Sequence, residues 1–172
     1  MKKLKVLIIL LGVLLTNGFA FAQETPLSFK PGSEPEGFRG IKLGTDLSML
    51  QGTKHRRTDE SFGGIEFYST EVDALALGKA RLESIEYGFW KGRLYVVMMT
   101  TKGLANWNGL KESVFDRFGT GAQAFREIES YLWEGEKVAM ALWYNKTSKK
   151  GIFYIRSLSM KKEMDAEGKG SN

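Results

Sequence analysis

The clearest pattern in this 172-residue chain is a pair of segments, one on each side of Lys91-Gly92, in which apolar side chains recur at every second position. A two-residue loop there predicts a β-hairpin, because glycine accepts the positive φ that tight hairpin turns need. The predicted register opposes Trp90 to Arg93, Phe89 to Leu94, Tyr87 to Val96 and Ile85 to Met98. Side chains alternate along a strand, so this register gives the hairpin one apolar face. That face carries Ile85, Tyr87, Phe89, Leu94, Val96 and Met98.

The opposite face of the hairpin is mixed, and we expect it to be partly in contact with water. Aromatic and methionine side chains are enriched in the cores of protein interfaces. This face is therefore a candidate partner surface, formed by Trp90, Tyr95, Val97 and Met99. The alternative is that the preceding segment or a second layer covers it.

An amphipathic helix follows the hairpin. Its apolar positions are spaced i, i+3, i+7, i+8 and i+11, as expected for one helical stripe: Trp107, Leu110, Val114, Phe115 and Phe118. Asn106 or Asn108 is a candidate cap, and Gly119 is expected to end the helix. The stripe needs a partner, and the apolar face of the hairpin is the nearest one.

Shorter elements are predicted in the rest of the chain. A short strand with Phe38, Ile41 and Leu43 leads to a short helix capped by Thr45 or Asp46, and Gly135-Glu136 predicts a second hairpin that opposes Trp133 to Val138. In chain order, the other predictions are a charged loop over 53–64, a strand over 65–69, a basic loop over 145–150 and a strand over 151–159. The predicted fold is α+β, an antiparallel sheet with helices packed on one face.

The chain has two alternative domain interpretations. A helix followed by three strands would occur twice, over 40–101 and 103–159, as a degenerate tandem repeat. The other interpretation is a single irregular α+β domain over 37–160.

The first 22 residues have the pattern of a signal peptide. Lysines precede an apolar run, and Ala20-Phe21-Ala22 fits a cleavage site that leaves Gln23 as the first mature residue. The run is shorter than the ~20 residues that span a membrane comfortably. We therefore expect a periplasmic or secreted protein that is not an integral membrane protein after cleavage. The alternative is an uncleaved N-terminal anchor.

Polar segments flank the predicted domain. Residues 23–36 hold all three prolines and form a leader that either lies on the domain through Leu27 and Phe29 or is disordered. Residues 161–172 are charged and have one large apolar residue, Met164, which predicts a disordered tail.

Charge and composition exclude several kinds of function. The three lysines of the signal peptide account for most of the formal +5, and 22 basic residues then face 20 acidic ones. A net charge of this size gives no support for nucleic-acid binding. The chain has no cysteine and a single histidine, His55, so neither a cofactor nor a transition-metal site is predicted.

No residue is predicted to be catalytic. His55 lies among Lys54, Arg56 and Arg57 without a serine in a nucleophile setting. Several glutamates could serve a hydrolase, but nothing selects a pair. The basic residues Lys146, Lys149 and Lys150, with Lys161 and Lys162, are candidate contacts to anionic lipid or cell-wall polymers, at ~1 kcal/mol per lysine near such a surface. The alternative is an ordinary solvated face.

Three stretches of this sequence, GFRGIKLGTDL, YGFWKGRL and the helix ending in FG, resemble a set of small exported bacterial proteins, mostly uncharacterised. The resemblance covers residues 37–154. In layout the chain is more distantly similar to the β-lactamase-inhibitor protein and to a small subunit of the outer-membrane barrel-assembly machine. These resemblances imply an α+β fold and a binding role.

The expected function is therefore that of an exported bacterial envelope protein acting as a non-enzymatic binding or accessory module. Its expected partner is an envelope protein or a cell-wall component. The alternative is a small hydrolase acting on cell-envelope material.

Overall fold

The computed structural model describes residues 27–60, 64–123 and 127–169. The predicted signal peptide and its cleavage site lie outside these ranges, as do residues 23–26 of the leader. The strands in chain order are β1 (Gly37–Phe38), β2 (Ile41–Lys42), β3 (Thr53–Asp59), β4 (Ile65–Thr70), β5 (Ala76–Leu77), β6 (Ala80–Trp90), β7 (Arg93–Lys102), β8 (Ala122–Gln123), β9 (Ser130–Glu134), β10 (Val138–Asn145) and β11 (Lys150–Ser157). The helices are a 3-10 helix (Leu47–Met49), α1 (Leu104–Phe118) and α2 (Leu158–Lys169).

One antiparallel sheet holds most of these strands. The order of hydrogen-bonded strands in this sheet is β3-β4-β6-β7-β11-β10-β9-β8, and β5 pairs with β6. The α+β prediction is therefore confirmed. The two segments proposed as repeats meet at the centre of this sheet through β7 and β11. The first segment has only the 3-10 helix before its strands, and the repeat itself stays a prediction.

The central hairpin has the predicted turn but a different register beyond it. Lys91 and Gly92 both have positive φ, 49° and 74°, as a two-residue turn requires. Trp90 opposes Arg93 and Phe89 opposes Leu94, but Gly88 then opposes Val96, which leaves Tyr95 as an extra residue. This is a β-bulge, and it moves every later side chain of β7 to the other face.

The bulge corrects the predicted apolar face. Tyr87 opposes Val97 and Ile85 opposes Met99, so the predicted pairs with Val96 and Met98 are wrong. The core on the α1 side consequently contains Leu94, Val97 and Met99, and the other side of β7 carries Val96 and Met98.

Helix α1 packs on the apolar face of the hairpin, as predicted. Trp107, Leu110, Val114 and Phe118 are buried there, and Phe115 is half-buried against Tyr131 and Trp133 on β9. Gly119 ends the helix by donating its N–H to the Phe115 carbonyl.

The predicted asparagine cap is wrong. Gly103 occupies the cap position without a side-chain hydrogen bond. Asn106 instead accepts a hydrogen bond from the Arg81 N–H at 3.1 Å and donates one to the Lys102 carbonyl at 3.0 Å. Its amide therefore connects the first turn of α1 to both strands of the hairpin.

The second hairpin is shifted by two residues relative to the prediction. Trp133 opposes Met140 rather than Val138, and the turn is the wider segment 135–138. The Glu34 carboxylate accepts hydrogen bonds from the backbone N–H groups of Glu136, Lys137 and Val138 at 3.3, 2.7 and 2.8 Å. Burial acts to raise the pKa of Glu34, but these three donors outweigh it, and its pKa lies below the ordinary value. A shift of two keeps each side chain on its predicted face.

The leader lies on the domain over the described residues 27–36. The Phe29 ring meets the edge of Phe118, with ring centroids 6.3 Å apart. Lys30 donates its N–H to the Phe118 carbonyl at 2.8 Å, and Glu134 donates to the Leu27 carbonyl at 2.7 Å. The leader therefore links the end of α1 to the second hairpin.

Two segments predicted to be irregular are regular. Thr53–Asp59 forms β3 at an edge of the sheet rather than part of a loop, and charged side chains suit an exposed edge because they disfavour pairing with another chain. Residues 158–169 form α2, so the predicted disordered tail is wrong as far as residue 169.

Helix α2 packs on the side of the sheet opposite α1. Met160 is buried with Trp90, Tyr95 and Val96, and Met164 packs at the edge of this cluster. The helices thus lie on both faces of the sheet rather than on one. Ion pairs from Arg93 to Glu163 and from Lys91 to Glu167, both at 2.6 Å, are exposed, and contacts of that kind contribute little to stability.

Met160→Ala should lower the free energy of unfolding by about 2–3 kcal/mol, because it empties a buried contact between α2 and the sheet. The matched control is Met49→Ala, whose side chain is 74% exposed and should cost less than about 0.5 kcal/mol. Chemical denaturation of both variants measures the difference. Equal values for the two would show that α2 does not cover Trp90 and Tyr95 in solution.

Candidate functional site

The predicted partner surface is buried in the structure. Trp90 and Tyr95 are 3% and 5% exposed, and Val97 and Met99 are fully buried. The bulge directs Val97 and Met99 toward α1, while α2 covers Trp90 and Tyr95. The expectation that these four side chains form an exposed surface is therefore wrong.

Helix α2 covers only one end of its side of the sheet. Beyond it, the neighbouring strands β7, β11, β10 and β9 present half-buried apolar side chains, which we call the open face: Met98, Leu132, Trp143, Ile152 and Tyr154. These residues are cross-strand neighbours. Tyr154 opposes Met98, and Trp143 opposes Ile152.

The open face has small side chains in its middle and large ones around them. Ala141 lies between Tyr154 and Leu132 in the register, and Ala139 lies beside Arg156. Both alanines are buried. The Trp143 and Tyr154 rings meet edge to face, with centroids 5.7 Å apart. Large rings therefore lie beside two small, buried side chains on this face.

Arg156 is a charged residue within this surface, and Glu134 lies in the same row beyond Ala139. Arg156 opposes Val96 on one side and Ala139 on the other. Its guanidinium lies 5.6 Å from the centre of the Tyr154 ring, and its Nε is buried without a hydrogen-bond partner among the described residues. Burial raises the pKa of the Tyr95 phenol, against the opposing effect of the neighbouring charges of Arg156 and Lys161.

Paired polar groups border the open face. Arg57 binds Glu86 at 3.2 Å, with its guanidinium 3.7 Å from the centre of the Phe67 ring. The Ser84 and Thr100 hydroxyls are 2.7 Å apart. These contacts fix the side chains of β6 and β7 that surround Met98.

The lysines predicted to contact an anionic surface lie at one end of the open face. Lys146, Lys149 and Lys150 are exposed at the turn between β10 and β11. The register adds Lys102, which opposes Lys150. Lys150 binds Glu83 at 3.1 Å, so part of its charge is neutralised within the chain.

A second polar cluster lies in a cleft on the α1 side. The Asp73 carboxylate accepts hydrogen bonds from Arg39 at 3.1 Å, Thr70 at 2.6 Å and Tyr87 at 3.2 Å. Burial and the neighbouring Asp73 charge raise the pKa of the Tyr87 phenol well above its ordinary value. With a cation and two hydroxyls around it, Asp73 attaches the segment before β5 to the core rather than offering a free base.

The other candidates for chemistry have structural contacts. The Glu129 carboxylate accepts hydrogen bonds from the Trp107 indole and from Lys111. The His55 ring lies on the edge strand, with its Nε2 3.3 Å from the Thr58 hydroxyl and its ring packed against Tyr68. Within residues 27–60, 64–123 and 127–169, no group of three or more His, Asp or Glu side chains is placed to hold a metal ion.

Sequence reasoning placed Ile152, Tyr154 and Arg156 on one face of the last strand, but it did not select them as a site. Alternation shows which side chains share a face, not whether that face is covered. For Met98 the missing information was the bulge at Tyr95.

Neither α1 nor α2, the α-helices of the described residues, is long and apolar enough to cross a membrane. Comparisons with protein-family models, with curated proteins and with solved structures find no match for this chain.

Trp143 should account for nearly all the tryptophan fluorescence that acrylamide can quench. The other three tryptophans, Trp90, Trp107 and Trp133, are at most 3% exposed, whereas Trp143 is half-buried on the open face. Trp143→Phe should therefore remove the fraction of the fluorescence that acrylamide quenches. The remaining emission should be blue-shifted, because it comes from buried tryptophans. Unchanged quenching in this variant would mean that the open face is covered in solution or that a buried tryptophan is accessible.

Proposed function

We propose that this chain is an exported bacterial envelope protein that acts as a non-enzymatic binding or accessory module. The observation that carries the proposal is the open face, where four paired strands present half-buried aromatic and aliphatic side chains beside an arginine whose buried Nε has no acceptor. The signal-peptide pattern of residues 1–22 supports export.

The open face is smaller than a complete protein interface. Four strands at ~4.8 Å spacing are about 14 Å wide. A square patch of that width covers about 200 Å², much less than the ~800 Å² that each partner buries in a stable protein interface. The open face would therefore be the centre of a larger interface. Tyr and Trp at such a centre carry much of the binding energy, and here they stand on paired strands that need little ordering on binding.

The rim offers polar groups for the rest of such an interface. Lys102, Lys146 and Lys149 lie at one end, and the Arg57–Glu86 pair lies along one side. Binding interfaces commonly have an apolar centre and a polar border of this kind. The carboxylates of Asp73 and Glu129 are already held by cations and hydrogen-bond donors, which favours structural roles over hydrolysis.

Export is tested by the intact mass of the protein recovered from the periplasm or the medium of the producing bacterium. We expect a chain that begins at Gln23, because signal peptidase cuts after the small-x-small motif at Ala22. Recovery of the chain in the membrane fraction with residues 1–22 still attached would contradict export in soluble form.

Binding is tested with the double variant Trp143→Ser, Tyr154→Ser. It should reduce recovery of cross-linked envelope partners by at least about ten-fold, because loss of an aromatic anchor typically costs ≥ 2 kcal/mol. The variant should retain a cooperative unfolding transition, since both side chains are only half-buried.

The control for this experiment removes apolar surface elsewhere. Leu104 and Ile128 are 58% and 50% exposed and lie outside the open face. The double variant Leu104→Ser, Ile128→Ser should keep full partner recovery. Equal recovery from both double variants would contradict binding through the open face.

A further inference from the structure

Several cations on this side of the sheet have a carboxylate partner within the chain. Arg57 binds Glu86 and Asp59, Lys150 binds Glu83, Lys161 binds Asp165, and Arg93 binds Glu163. Within the described residues, Arg156 has no ion pair. Its guanidinium contacts the Tyr154 ring and has the neighbouring Tyr95 phenol as a hydrogen-bond partner, while its Nε has no acceptor.

An arginine in this position is expensive for the folded chain. It lies between the apolar side chains of Val96 and Ala139, and the buried Nε has lost water without gaining an acceptor. A guanidinium is a planar fork of donors that matches a carboxylate, which can accept two parallel hydrogen bonds. A carboxylate from outside the chain would supply the acceptor that the Arg156 Nε lacks.

We propose that the open face receives an acidic polypeptide segment, with an Asp or Glu carboxylate of the partner on Arg156 and apolar side chains of the partner on Tyr154, Trp143 and Ile152. This proposal rests on the proposed binding function and specifies its partner. Lys102, Lys146 and Lys149 at the end of the face have no ion pair among the described residues, and they add positive charge where further acidic residues of the segment would lie.

The surroundings of Arg156 favour a polypeptide over other anionic partners. A lipid surface is best met by protruding cations, whereas Arg156 is recessed among strands. A polysaccharide would leave Met98, Leu132 and Ile152 without apolar partners. A polypeptide that carries both carboxylates and apolar side chains satisfies the guanidinium and the aliphatic surface around it.

The test is selection of random 12-residue peptides by phage display on the full exported chain. Wild-type protein should enrich peptides that combine Asp or Glu with large apolar residues. Arg156→Gln should lose the acidic enrichment and keep the apolar one. The control Arg117→Gln removes the same charge from the exposed face of α1, on the other side of the sheet, and should select the same peptides as wild type.

Affinity measurements then test whether the carboxylate of the selected peptide binds Arg156. The strongest selected peptide should lose about ten- to a hundred-fold in affinity when its key Asp or Glu is changed to Asn or Gln, because a charge-assisted hydrogen bond to a half-buried cation is lost. Arg156→Gln should produce the same loss, and combining the two changes should add little. Arg156→Lys keeps the positive charge but loses the planar pair of donors, so its affinity for the peptide should lie between those of wild type and Arg156→Gln.

Several results would overturn the proposal. One is the absence of acidic enrichment on wild type. Another is an Arg156→Gln variant that unfolds cooperatively and binds the selected peptide with an affinity within two-fold of that of wild type. A third is stronger binding to phosphatidylglycerol vesicles than to any selected peptide, with that binding lost in Arg156→Gln. The cross-linking test with the Trp143→Ser, Tyr154→Ser variant distinguishes this failure from failure of the binding function. If that variant still loses its envelope partner, the open face binds a partner and only the acidic chemistry of the partner is refuted.

Discussion

The bulge at Tyr95 determines which side chains of the central strand β7 belong to the core. Before it, Leu94 faces α1. After it, Val97 and Met99 face α1, while Val96 and Met98 face the other side. Gly88 lies opposite the bulge, and a Cβ there would come within 2.6 Å of Val96 and 2.8 Å of Phe67. The glycine therefore allows the strands to pack closely where the extra residue bends β7.

The two sides of the sheet are covered unequally. Helix α1 and the leader cover one side, where Trp107, Leu110 and Trp133 are buried. On the other side, α2 reaches only the cluster around Trp90 and Tyr95. An antiparallel sheet can keep one face in contact with water. Here that face carries Trp143 and Tyr154 instead of the usual polar side chains, and the candidate site follows from this partial cover.

Local signals in the sequence predicted the elements that depend on neighbouring residues. Lys91-Gly92 predicted the hairpin turn, and the apolar stripe from Trp107 to Phe118 predicted α1 and its packing. The register beyond Leu94 could not be predicted, because Tyr95 to Met99 are all apolar or aromatic and either parity pairs apolar residues with Ile85 and Tyr87. In the same way, Met160 and Met164 are too few to indicate an amphipathic helix.

Other features depend on residues far apart in the sequence. The turn at 135–138 is held by Glu34, about a hundred positions earlier, so no local pattern could give its width. The same limit applies to the candidate site. Alternation put Tyr154 and Arg156 on one side of β11, but their exposure depends on where α2 ends its cover of the sheet.

The presence of an arginine at position 156 is better explained by function than by the stability of the fold. An apolar side chain in its place would pack against Val96 and Ala139 without leaving a buried donor unsatisfied. A surface shaped for stability alone would also carry fewer half-buried rings beside that charge. Positions that break a local rule without a compensating contact in the chain are typical of functional sites. On the open face, the unsatisfied Arg156 Nε and the half-buried aromatic rings break such rules together, and a bound partner would satisfy both.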